Sequence, residues 1–273
     1  MATESLLSCD IPQVLPPELR PNVEHLVTED DTPVDNIFSE KQQRLLTEPL
    51  YSSPEWAGTG RPFVALANVG LFYAIREPPF VPDMLLSLDV QVPDDLWPKS
   101  HRSYFIWEYG KPPNVVIEVV SNRKGGEDTT KLKKYAHLGI GYYVVFDPQE
   151  MLSDQPLRAF RLVANQYAPF DESLWFPDVG LGLRLWEGRF EGHPDTWLRW
   201  RDQAGEPIPT GAERAQRELH RANREHRRAN QERNRADQER KRAEQEQNRA
   251  DQERQRAERL AEQLRQLGVE PGD

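Results

Sequence analysis

Hydrophobic and polar positions alternate differently in different stretches of this chain, and each pattern predicts an element. The stretch NIFSEKQQRLLTEPLYS carries Ile37, Gln42, Leu45 and Leu46 at near-helical spacing and predicts a helix. PFVALANVGLFYAI predicts one or two strands. In VPDMLLSLDVQV the period is two: Met84, Leu86, Leu88 and Val90 are expected on one face, and Asp83, Leu85, Ser87 and Asp89 on the other. NVVIEVVS is a β-branched run and predicts a buried strand. GGEDTTKLKKYAHLG predicts a Gly-rich turn and a short helix ending at Gly139. YYVVFDP predicts another buried strand, stopped by Pro148, and PLRAFRLVANQYAPF a hairpin-like pair. Helix, strands, helix and further strands in this order predict an α+β domain with a mixed sheet flanked by helices.

From Thr210 the pattern changes to a seven-residue repeat. Ala215, Ala222, Ala229, Ala236, Ala243, Ala250 and Ala257 mark it, among Arg, Glu and Gln. Thr210 with Glu213 reads as a helix start, and after Gly211 no Pro or Gly interrupts until Gly268. Pairs such as Arg228 with Glu232 lie four apart and face each other. One long charged helix is expected. Only one stripe of it is apolar, and that stripe is Ala, so both a solvated single helix and a weak coiled coil are open. The chain therefore divides into a Pro- and acid-rich arm (1–34), a globular domain (35–205) and a heptad-repeat helix (210–267).

Composition sharpens this division. All seven Trp lie between residues 36 and 200. Hydrophobic residues make up 37% of the 273, low enough that part of the chain should lack a core. A single cysteine, Cys9, rules out an internal disulfide framework. With no apolar run of membrane-spanning length and no signal pattern at the N-terminus, a soluble cytoplasmic protein without a membrane partner is expected. The net charge is -10, which offers no general attraction for nucleic acid. That charge is uneven. Residues 211–267 hold 16 basic and 12 acidic side chains and so carry +4, whereas the first 210 residues hold 19 basic and 31 acidic and carry -12.

The candidate chemistry starts from one anomaly: Glu118 sits inside the apolar run Val115–Val120. An ionised carboxylate stripped of water needs a cationic partner or a metal. Asp83 opens the preceding predicted strand, and if the two strands are neighbours both carboxylates project from one place. Two hard oxygen ligands, with a backbone carbonyl and waters, suit Mg²⁺ (or Mn²⁺). Lys131 lies thirteen residues after Glu118 on the following helix, with Tyr135 four further on the same face. A lysine there can orient water or neutralise charge growing on a phosphate. Taken singly, each residue has a plainer role: Asp83 as a turn residue, Glu118 as a buried ion-pair member, Lys131 as a solvated helix lysine. Asp89 and Asp147 read as strand terminators, and Tyr135 and Tyr143 as core aromatics.

The ordered set Pro82, Asp83, Glu118, Val119, Ser121, Lys131, Tyr135, Gly139, Tyr143, Asp147 and Pro148 resembles the Uma-type restriction endonuclease family of the PD-(D/E)xK nuclease superfamily. The resemblance covers about residues 35–200. It implies a restriction-endonuclease-like fold, Mg²⁺ dependence and DNA as substrate. Carried over residue by residue, it makes Asp83 and Glu118 metal ligands and Asp83, Glu118 and Lys131 the catalytic set. The chain departs from the superfamily at Val120, where the lysine usually stands two residues after the acid; Lys131 on the helix takes its place. Glu127 beside Asp128 stands where many members have an Asp. The acid many members carry in the opening helix could be Glu40 or Glu48. A second reading is a nuclease-derived fold that no longer cuts and works as an interaction module, its helix meeting a second copy or a protein partner.

Overall fold

The computed structural model describes residues 14–28, 36–58, 60–121, 130–170 and 173–266, with side chains described up to residue 263. They fall into two compact units, residues 1–212 and 213–273.

The first unit is built on a six-stranded mixed sheet. Its strands are β1 (Phe63–Ala67), β3 (Met84–Leu88), β5 (Val115–Val119), β6 (Tyr142–Phe146), β7 (Leu157–Val163) and β8 (Gln166–Pro169), neighbours in that order. Only β5 and β6 run parallel; a parallel pair needs a crossover, and α3 (Leu132–His137) lies in that connection. The remaining pairs are antiparallel. Helix α1 (Ile37–Ser52) starts where the Asn36 side chain accepts the Ser39 backbone N–H at 2.9 Å.

Both faces of this sheet are covered, so every residue of β3, β5 and β6 is buried. On one face, Met84, Leu86, Ile117, Val144 and Phe146 pack with Leu46 and Leu50 of α1. The same core takes in Leu183, Leu198 and Trp200 from a second, three-stranded sheet of β9 (Trp175–Phe176), β10 (Leu181–Phe190) and β11 (His193–Arg201). On the other face, Val64, Leu85, Val116 and Tyr143 pack with Tyr135 of α3. Tyr104 of the short parallel pair β2 (Leu71–Phe72) and β4 (Tyr104–Phe105) joins that cluster, as does Tyr109 of the one-turn helix α2 (Ile106–Tyr109).

Elements fall where the hydrophobic pattern predicts them, with one change of face. Val90 packs with Leu85 and Val116, not with Met84, Leu86 and Leu88. The cause is Asp89, whose φ of 61° ends the alternation after Leu88. Its carboxylate takes both hydrogen bonds of a bidentate pair with Arg61, each 2.9 Å. The β10–β11 hairpin, which carries Trp186, Trp197 and Trp200, has no counterpart among the elements predicted for the globular domain, which end at Phe170.

The described part of the second unit is a single helix. Helix α4 runs Gly211–Gln266, 56 residues, and is about 84 Å long at 1.5 Å per residue. Nearly all its described side chains are exposed, Leu219 and Leu260 included. Arg221–Glu225 at 3.0 Å and Arg240–Glu244 at 3.9 Å realise the four-residue pairing. Among the described residues no helix is long and apolar enough to cross a membrane.

Candidate active site

Register brings the two acids together. Met84 lies opposite Ile117 in the antiparallel β3–β5 pair, so Asp83, just before Met84, and Glu118, just after Ile117, sit at the same end of the two strands. Asp83 Oδ2 accepts the backbone N–H of Val119 at 2.7 Å, which ties the Asp83 carboxylate to the residue next to Glu118. Its Oδ1 accepts the Gln43 amide N–H of α1, also at 2.7 Å.

Glu118 is 1% exposed. Its Oε2 accepts from the Lys131 ammonium at 2.9 Å and its Oε1 from the Tyr135 hydroxyl at 2.7 Å. Lys131 precedes α3 with helical backbone angles, so it and Tyr135 stand one turn apart and grip the two oxygens of one carboxylate. Burial pushes the Glu118 carboxyl up to about 8. Lys131 pulls it down, the charge of Asp83 pushes it further up, and the hydrogen bonds from Tyr135 and Lys131 again lower it. Burial, then the Glu118 charge, holds the Tyr135 hydroxyl well above its ordinary value, so it remains a donor.

The structure thus unites Asp83, Glu118 and Lys131, the three residues singled out in the sequence. The two candidate acids of the opening helix lie elsewhere. Glu40 pairs with Arg44 at 2.8 Å, and Glu48 accepts from the Ser52 hydroxyl and from the Gly211 N–H. The α1 residue that does reach the site, Gln43, is neutral, and nothing in its local sequence singles it out from Gln42. Glu127 and Asp128 lie outside the described residues. Asp147 accepts the N–H groups of Met151 and Leu152 and ends β6, a structural part.

Does this donor set fit a divalent cation? Two carboxylates here face one lysine, and the charge of Asp83 opposes ionisation of Glu118, so a divalent cation between them would favour the ionised form of Glu118. Each oxygen engaged by one protein donor retains a second lone pair. Among the described residues no group of three or more His, Cys, Asp or Glu gathers in one place. A fully protein-built cage is therefore not what these residues offer. Two carboxylates with water completing the shell is what Mg²⁺ usually takes, and Asp83 and Glu118 could supply them.

Comparison with known proteins agrees with this architecture. No curated protein matches the chain. The model of one family, Uma2, described as "Putative restriction endonuclease", matches residues 29–186, which include the whole Asp83–Glu118–Lys131 cluster and the six-stranded sheet that carries it. Over more than half its length, this chain belongs to the Uma2 family.

Proposed function

We propose that the first unit is a Mg²⁺- or Mn²⁺-dependent endonuclease that hydrolyses DNA phosphodiester bonds. One observation carries the reading: a buried glutamate, an aspartate from the neighbouring strand and a lysine meet at the common end of β3 and β5. Asp83 and Glu118 would hold the metal, which when bound activates water and polarises a phosphate oxygen. Val119 N–H and Gln43 fix the Asp83 carboxylate from two sides. Tyr135 holds Oε1 of Glu118 and so sets its rotation. Lys131, 23% exposed at its side chain, is the group placed to meet a phosphate from solvent and to offset its charge.

A second reading is supported by the same bonds. All four carboxylate oxygens already accept from protein donors, and the first 210 residues carry -12. That state suits a nuclease fold that no longer cuts and acts as an interaction module through α4, by self-association or by docking a protein partner. Calorimetric titration of Mn²⁺ into the full chain, with a plasmid-nicking assay, separates the two. The nuclease reading expects binding and nicking, both lost in Glu118→Gln while the domain stays folded. Unchanged metal binding in that variant ends it. Sedimentation of the intact chain against one truncated near Thr210 tests α4, and two monomeric masses would exclude self-association.

A further inference from the structure

A side chain far from the acids stands out by its exposure. Trp97 is 82% exposed, and the neighbouring Leu96 and Val92 are exposed with it, so the three form an apolar patch rather than a lone surface residue. The Trp97 backbone is nonetheless held. The Trp97 N–H donates to Asp95 Oδ1 at 3.0 Å, and its carbonyl accepts from Arg102 Nε at 2.9 Å. The ring is thus presented from a pinned turn.

Trp97 lines a cavity of about 610 Å³, within the size range of small-ligand pockets. Leu66, Val69, Val92 and Leu96 form its apolar wall, and Tyr109, stacked on Tyr104 at 4.3 Å, adds a fixed aromatic. His101 and Arg102 also line it, and no carboxylate does. Lys99, His101 and Arg102 lie on this turn, between Asp94 and Asp95 before it and Glu108 after it. An aromatic, apolar pocket with an arginine in its lining is complementary to a base attached to a phosphate.

The cavity shares scaffolding with the acids. Leu66 pairs with Leu85, and Leu85 with Val116, two residues before Glu118. Leu66 is therefore two strand spacings, about 10 Å, from the Glu118 strand. Leu66 and Tyr109 pack in the same cluster as Tyr135, so wall and acid occupy one side of the sheet. Asn68, between Leu66 and Val69, donates its backbone N–H to the Asp83 carbonyl at 3.3 Å.

We infer that this pocket takes an unpaired base of a DNA strand, stacked on Trp97 with its phosphate toward Arg102, and so directs the domain to single-stranded or locally opened DNA. The inference rests on the nuclease reading for its choice of ligand, and its test is independent of cleavage. A fluorescein-labelled single-stranded deoxyoligonucleotide is titrated with the full chain in EDTA and followed by anisotropy. Trp97→Ala is expected to weaken binding about fivefold or more and Trp97→Phe to retain most of it. Trp97 packs into no core, so the variants should unfold with the parent. Absence of binding, equal binding by Trp97→Ala, or duplex of the same sequence binding as tightly and with the same Trp97 dependence would overturn the inference. Trp97-dependent binding without nicking by the parent chain would leave the pocket standing and remove only the nuclease reading.

Discussion

Glu118 and Lys131 meet at 2.9 Å in the first unit, and Arg221 and Glu225 meet at 3.0 Å on α4. The bond lengths hardly differ, but the surroundings do. The Glu118 side chain is 2% exposed, whereas Arg221 and Glu225 are 77% and 63% exposed. In water the helix pair trades one set of solvated charges for another and gains a few tenths of a kcal/mol. In the sheet, the carboxylate has lost its water, so each donor around it becomes necessary and a further cation becomes favourable. Charged residues are abundant in α4 and consequential beneath the sheet. Environment, not residue type, separates a solvated surface from a site.

The contrast can be broken experimentally, most strongly at Lys131. Lys131→Met leaves Glu118 buried without its cation and is expected to cost about 3–5 kcal/mol of stability when that carboxyl is ionised. Urea unfolding at pH 9 should show the loss and unfolding at pH 6 much less of it; equal losses at both would mean that the lysine contributes only packing.

The pH dependence of the parent chain comes next. Glu118 is raised in the fold from 4.5 to about 8. Between those values the folded protein keeps a proton that the unfolded chain has released. Stability from this group is therefore full below about 4.5 and is lost as pH rises toward 8. In EDTA the decline should be on the order of a few kcal/mol, and Glu118→Gln should flatten it. A profile that stays steep in that variant would assign the effect to other groups.

A smaller effect is expected at Gln43. Gln43→Leu removes one of the two donors that aim Asp83, and Mn²⁺ affinity should fall about tenfold with little change in unfolding midpoint. An unchanged affinity would make Gln43 a packing residue of α1. Smallest of all is Arg221→Ala, expected to change stability by less than about 0.5 kcal/mol. A larger loss would show that the α4 charges are buried by a partner helix.

Much of this was legible along the chain because it depends on near neighbours. The seven-residue Ala repeat specifies a helix through local propensity and i,i+4 pairs, and α4 is that helix. The β-branched run around Glu118 announced both a buried strand and a charge in need of partners, and Lys131 and Tyr135 are those partners. What only the fold decided involves residues far apart in sequence. Gln43 reaches Asp83 across 40 positions, and it does so because α1 lies against β1 and β3; Glu40 and Glu48, one helical turn or so away, point elsewhere. Val90 changed face because one backbone angle at Asp89 ended the strand. The Trp97 cavity joins β1 to a turn thirty residues later, a juxtaposition with no period to betray it. Sequence pattern determines which segments are helix or strand and which charge is out of place, since those follow from local periodicity and desolvation. Which groups surround that charge is settled by strand register and helix packing, since only these bring distant side chains within a hydrogen bond of one another.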